Sequence, residues 1–401
     1  MNDHVLMARQ PIYDQATRIV AYELLFRQCD KQEANIVNGD NATSEVLVNV
    51  FTHFNIEDIV GNKKAYINFT ERLIAEPPPF DKRHFVIEVL EDIEINDSLV
   101  ENLSALRDQN YTIALDDFIY NDQSHRILPF ADIVKIDVLL LNTEELKEHV
   151  TQLKKYNVIL LAEKVENHEM WELCRDLGFD LFQGFFLSKP EIILGKNIPP
   201  SKLLVLELLN KLQNPNIGIS ELETLISRDP VLSFKVLKLV NSASYLPRKK
   251  IESFAKAITY LGLDLIRSLA SLLALSTLSD KPNALKDQSV LRARMCEKLG
   301  EKISKDQASV FFSVGLFSLL DAFFDQPLES VVRTLSLNEE LSNALLNKKG
   351  FYGEILATVI HLEKAEFDDI NWHYLSEYGI TPEYINEVHQ ETIVWLQSIP
   401  H

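Results

Sequence analysis

Eight oxygen-bearing side chains stand at the ends of short apolar runs in the first half of the chain: Glu23, Asn68, Glu88, Asp116, Asp117, Asp137, Glu163 and Gln183, with Lys135 nearby. So many carboxylates repel one another strongly if they share one place, unless cations intervene. Oxygen donors of this kind suit hard divalent ions such as Mg²⁺ or Mn²⁺. A carboxylate shared between two such ions is a usual device for phosphodiester hydrolysis.

That chemistry requires a fold that gathers the set. The runs behind these residues include 65–67, 85–87, 112–115, 133–136 and 159–162, rich in β-branched and aromatic side chains. Continuous runs of this length suggest strands buried on both faces. From Asn68, the polar strand ends follow one another at steps of about 20 to 28 residues. That is the length of a strand, a helix and two loops, and it predicts repeated βα units. Amphipathic stretches at 96–108, 144–156 and 167–177 supply the helices, and Asn142-Thr143-Glu144-Glu145 reads as a helix start. Seven or eight strands in under 200 residues favour a closed barrel, whose C-terminal strand ends converge on one mouth.

The chain has 401 residues and a net charge of −19. Residues 1–200 hold 19 Lys+Arg against 34 Asp+Glu, a net of −15; residues 201–401 hold 21 against 25, a net of −4. An acidic first half repels nucleic acid and membrane phosphates, so neither is expected as a direct partner. Cys29, Cys174 and Cys296 show no CxxC spacing, and the N-terminus lacks the base and the apolar core of a signal peptide. The longest apolar stretch, around Leu269 to Leu275, is too short for a membrane span and is expected in a buried helix. A reduced, cytoplasmic protein is expected.

Pro199-Pro200 marks a boundary. Beyond it the period becomes 3.6, beginning with Leu203, Leu206, Leu209 and Leu212, and no convincing strand follows. The chain is therefore expected to be α/β plus all-α, with domains at 1–198 and 199–401. His361, His373 and His389 lack ligand spacing and are expected at the surface. Asp229-Pro230 is expected to start a helix and Asn241 to cap or bridge helices.

The first half resembles an EAL domain, the family of cyclic-di-GMP phosphodiesterases. The resemblance rests on Gln10-Pro11-Ile12, Tyr22-Glu23-Leu24-Leu25-Phe26-Arg27, Tyr66-Ile67-Asn68, Ile87-Glu88-Val89-Leu90-Glu91 and Ala114-Leu115-Asp116-Asp117-Phe118. Lys135-Ile136-Asp137, Ala162-Glu163-Lys164-Val165-Glu166 and the stretch from Gln183 to Pro190 follow in family order. It implies a TIM-like (β/α) barrel that hydrolyses cyclic-di-GMP to linear pGpG with two Mg²⁺ or Mn²⁺ ions. Glu23, Asn68, Glu88 and Asp116 match the ligands of one ion, and Asp116, Asp117 and Glu163 those of the second. Lys135 and Glu163 match the pair that holds and deprotonates the attacking water. Arg27 and Gln183 match substrate-binding positions, and Glu91, Asp137 and Glu166 supporting ones.

The sequence departs from the family at one loop. Active members usually follow the Asp pair with Gly-Thr-Gly, where this chain reads Ile119-Tyr120-Asn121-Asp122-Gln123-Ser124. Leu90 stands for a threonine and Lys164 for a glycine. A catalytically weak or inactive cyclic-di-GMP receptor or scaffold is the alternative.

The second half resembles the HDOD domain through 226–232, 235–243 and Ala257-Ile258-Thr259-Tyr260-Leu261-Gly262. HDOD domains are relatives of HD phosphohydrolases without the metal ligands. Where the His-Asp pair would stand, the chain reads Gly315-Leu316-Phe317-Ser318-Leu319-Leu320-Asp321. Together the halves resemble the EAL–HDOD signalling proteins of bacteria. This resemblance implies a regulatory helical bundle and allows a protein partner through it, as well as a homodimer of the chain.

Overall fold

A computed structural model describes residues 4–29, 56–77, 82–121, 123–189, 200–212, 254–278, 281–335 and 337–397, with 218, 221, 222, 224, 226 and 236 between them. Asp229, Asn241 and Pro199 lie outside the described residues. The chain divides into two compact units, Met1–Leu187 with Glu363–Asp368, and Ser188–Leu362 with Asp369–His401.

The first unit is a closed barrel whose eight strands follow in chain order. They are β1 (His4–Asp14), β2 (Ile19–Cys29), β3 (Lys64–Phe69), β4 (Phe85–Val89), β5 (Thr112–Leu115), β6 (Ile133–Asp137), β7 (Ile159–Glu163) and β8 (Leu181–Gln183). From β2 to β8 every neighbouring pair is parallel. The uniform parallel repeat read from the sequence fails at β1, which runs antiparallel to both β2 and β8. The cause is length: only residues 15–18 separate β1 from β2, enough for a hairpin and far too few for a crossover. Asp14 fixes that turn by accepting from the backbone N–H of Ala16 and Arg18, each at 2.9 Å.

The barrel helices are α1 (Ile56–Val60), α2 (Glu71–Ala75), α3 (Asp97–Asp108), α4 (Thr143–Leu153) and α5 (His168–Leu177). The Asn142 start is a full capping box. Its side chain accepts from the Glu144 and Glu145 N–H groups, and Glu145 reaches back to the Asn142 N–H. α4 then buries Leu146, Val150 and Leu153 at helical spacing.

An apolar layer fills the barrel. Ile12, Ala21, Tyr66, Val86, Ala114, Ile133 and Leu161 form one buried cluster, one residue from each of β1 to β7, and Leu181 of β8 packs against it. Side chains alternate across a strand, so the residue two positions further along also points inward.

The second unit is helical throughout its described residues: α6 (Pro200–Leu212), α7 (Phe254–Leu261), α8 (Leu263–Ser276), α9 (Asn283–Ile303) and α10 (Ala308–Phe317), then α11 (Leu320–Phe324), α12 (Leu328–Thr334), α13 (Glu339–Asn347), α14 (Gly350–Glu363), α15 (Trp372–Glu377) and α16 (Pro382–Gln397). Pro200 opens α6, where its missing N–H costs nothing. Leu206, Leu209 and Leu212 are buried on that helix, as are Leu269, Leu273 and Leu275 on α8. Gly315 lets α10 approach α9, because a Cβ there would lie 2.7 Å from the Arg292 carbonyl oxygen and the Ala293 Cα. His373 is exposed and His361 half-buried, but His389 is buried on α16, against the expectation of a surface residue. None of the described helices is long and apolar enough to cross a membrane.

Candidate active site

Seven polar residues of the first unit lie two positions from the apolar layer. Glu23 follows Ala21, Asn68 follows Tyr66, Glu88 follows Val86 and Asp116 follows Ala114. Lys135 follows Ile133, Glu163 follows Leu161 and Gln183 follows Leu181. On the reversed strand β1 the same step runs backwards, from Ile12 to Gln10. Alternation therefore raises a polar layer directly on the apolar one. Glu23 sits within an eleven-residue strand rather than at its end, but β2 pairs with β3 only from Ala21 to Leu24, so the mouth opens at Glu23 all the same.

Lys135 is the hub of that layer. It is wholly buried, and its Nζ lies 2.7 Å from Glu88, 2.7 Å from Asp116, 3.0 Å from Glu163 and 3.3 Å from Glu23. Burial alone would lower the ammonium's pKa, but the four carboxylates outweigh it and hold Lys135 protonated well above the ordinary lysine range. One ammonium against four carboxylates still leaves three negative charges if all ionise. Burial, then the neighbouring Glu23 and Asp116 charges, accordingly raise Glu88 well above the usual carboxylate range against the pull of Lys135. Glu163 is pushed up to about 8, chiefly by burial.

Asp116 and Asp117 are set by two backbone bonds: Asp116 N–H donates to the Val89 carbonyl at 3.0 Å and Phe118 N–H to Lys135 at 2.9 Å. Between them Asp117 takes φ +37°, and Lys164 takes φ +55°. The second value falls where the family has glycine, the residue that adopts such a φ without strain. The Lys164 ammonium bonds Asp137 and stands 3.6 Å from Asp117. Asp137 also accepts from the Leu139 N–H at 2.8 Å.

Glu23, Asn68, Asp116, Asp117, Glu163, Glu166 and Gln183 line one cavity of about 480 Å³. Glu88 is buried beneath them with Lys135. Asp137 lies behind Lys164 and off the wall. Glu91 is exposed and does not line the cavity. Arg27 also stands off the wall, with its Nη2 2.7 and 2.9 Å from the two Asp368 carboxylate oxygens. The wall also includes polar residues to which the sequence assigns no role, among them Gln10, Lys364 and Glu366. Gln10 accepts from Gln183 Nε2 at 2.9 Å, and the same amide nitrogen bonds Glu23. The period-two step from Ile12 could have found Gln10 had β1 been read as a reversed strand. No local signal marks Lys364 or Glu366.

The donor set fits divalent cations. Asn68 Oδ1, Glu88 Oε2, Asp117 Oδ1 and Glu163 Oε2 are buried and accept no hydrogen bond. Buried acceptors without partners are costly in a folded chain. Here they are all hard oxygens, in a site with an excess of negative charge.

The loop after the Asp pair closes on itself. Asn121 Oδ1 accepts from the Gln123 and Ser124 N–H groups, each at 2.9 Å. Ser124 Oγ accepts from the Asn121 N–H at 2.8 Å and donates to the Ile119 carbonyl at 2.9 Å. None of its described residues takes a positive φ.

In the second unit, the position of the His-Asp pair holds a cation. Arg292 is buried and donates to Ser318 Oγ at 2.9 Å, and Ser318 donates to the Gly315 carbonyl at 2.7 Å. A guanidinium there opposes a second cation beside it by like-charge repulsion.

Family profiles match the EAL domain at residues 45–190 and the HDOD domain at 198–324. The chain is 33% identical to the uncharacterized protein YuxH of Bacillus subtilis over 98% of both chains. It is 32% identical to the cyclic di-GMP phosphodiesterase CdgJ of Vibrio cholerae over 98% of this chain and 92% of that one. A standalone EAL protein from Vibrio cholerae, solved with c-di-GMP bound, covers 46% of this chain and 91% of its own at 24% identity and a TM-score of 0.37. Two full-length relatives and both domain profiles agree, and the chain belongs to the EAL–HDOD family of two-domain proteins.

Proposed function

We propose that the barrel is a phosphodiesterase that hydrolyses cyclic-di-GMP to linear pGpG. The observation that carries this reading is the polar layer around Lys135, with four carboxylates on one ammonium and several buried oxygens without a partner. Glu23, Asn68, Glu88 and Asp116 would hold one Mg²⁺ or Mn²⁺ ion, and Asp116, Asp117 and Glu163 a second. Bound there, the ions supply charge neutralisation at the phosphate and a more acidic attacking water. Lys135 donates to that water and orients it. Glu163 takes its proton, with Oε2 as the unpartnered acceptor. Gln183 and Arg27 bind the dinucleotide. Glu166 supports the wall, Asp137 holds Lys164, and Glu91 acts from outside the cavity.

The relative CdgJ, described as a cyclic di-GMP phosphodiesterase, supports the substrate. The HDOD half, with Arg292 where a metal would bind, is a regulatory module for a protein partner rather than a second hydrolase. The test is purified protein with cyclic-di-GMP and Mg²⁺ or Mn²⁺, followed by chromatography for pGpG. One observation favours a weak enzyme or a receptor: Lys164 already supplies a cation beside Asp117. In that case the dinucleotide binds and no pGpG forms.

A further inference from the structure

We propose that Lys364, 181 positions beyond the end of the last barrel strand, is a substrate-binding residue of the barrel that contacts a phosphate of the cyclic dinucleotide; this rests on the function proposed above.

Residues Glu363–Asp368 are grouped with the barrel. Two ties hold the segment there. Gln10 Nε2 donates to the Lys364 carbonyl at 3.2 Å, from the same amide whose oxygen accepts from Gln183. Arg27 of β2 grips Asp368 through both carboxylate oxygens. Between the ties, Lys364 and Glu366 line the cavity with Glu23, Asn68 and Asp116.

Charge then selects Lys364. A dinucleotide with two phosphates must enter a mouth walled by carboxylates, and Lys164 and Lys364 are the cations on the described wall. Lys164 is committed to Asp137 and Asp117. Lys364 meets Glu366 at 3.6 Å, with 39% and 40% of the two side chains exposed, so this pair is weak and readily exchanged. Its Nζ lies 5.7 Å from the centre of the Phe185 ring, also on the wall. A flexible ammonium with a loose partner at the rim suits a phosphate.

The test compares full-length wild type, Lys364→Ala and Lys364→Arg. Calorimetry with cyclic-di-GMP in Ca²⁺ reads binding, steady-state kinetics reads KM and kcat, and Mn²⁺ titration without nucleotide reads the metal site. Lys364→Ala is expected to weaken nucleotide binding and raise KM by ~5- to 10-fold, the scale of one charge-assisted contact. kcat and Mn²⁺ affinity should stay within about twofold, and Lys364→Arg should restore most of the loss. Binding by Lys364→Ala within twofold of wild type would overturn the assignment, as would equal losses in both variants accompanied by weaker Mn²⁺ binding. A wild type that neither binds nor cleaves the dinucleotide would instead sink the phosphodiesterase reading itself.

Discussion

Lys135 and its four acids form a set that is self-repelling when no divalent ion is bound, and this has a thermal consequence. Glu88 and Glu163 have raised folded pKa values, so the folded chain binds more protons than the unfolded one above the ordinary carboxylate pKa. Their contribution to stability is present below about pH 4.5 and is lost as pH rises through the folded value, about 8 for Glu163. In EDTA, Tm is expected to fall by a few degrees between pH 5 and pH 8, and saturating Mg²⁺ should remove most of that slope. Differential scanning fluorimetry in the two buffers checks this; a slope unchanged by Mg²⁺ would contradict a cation site. Lys164 makes a second residue-scale case. Lys164→Gly removes a side chain from φ +55° and a cation from Asp117. Mn²⁺ affinity is expected to rise several-fold, and an unchanged affinity would show that Lys164 does not compete for Asp117.

At the scale of elements, the strands carried their own evidence. The runs at 65–67, 85–87, 133–136 and 159–162 could be read because both faces of a barrel strand are apolar, and the polar residue at each mouth breaks the run. Strand β1 was harder to read, since Arg9, Gln10 and Pro11 interrupt its apolar pattern and its direction is set by a turn of residues 15–18. Glu23 was legible as a polar residue of the mouth but not as an interior strand position, because β2 continues as a hairpin arm beyond its pairing with β3. The rewritten loop was legible as a departure, whereas its conformation depends on side chains that bond their own backbone. Ser124 is the centre of that network. Ser124→Ala is expected to lower stability by about 1 kcal/mol by chemical denaturation, through the loss of bonds at a buried hydroxyl. A larger change in turnover than in stability would show that the loop still controls the site.

The whole chain concentrates its negative charge in the half proposed to hold cations, and 46% hydrophobic content supports two separate cores. A change to helical period near residue 200 could be read from the sequence. The return of Glu363–Asp368 to the barrel's unit could not, because the long-range ties Gln10–Lys364 and Arg27–Asp368 leave no periodic trace. His389 was misread for a related reason: a lone histidine on an amphipathic helix gives no sign of what packs over it. For the intact protein, metal removal is expected to abolish turnover, Mg²⁺ or Mn²⁺ to restore it, and Ca²⁺ to restore it poorly, since its looser ligand shell activates water less well. The central claim is tested most directly by the product formed from cyclic-di-GMP by full-length protein in Mn²⁺, set beside Glu23→Ala, whose lost carboxylate contacts both Lys135 and Gln183. The account predicts pGpG from the wild type and a loss of at least ~100-fold in the variant, with its helical and strand content kept. Equal turnover by the two proteins, or no pGpG from a wild type that binds the dinucleotide, would contradict it.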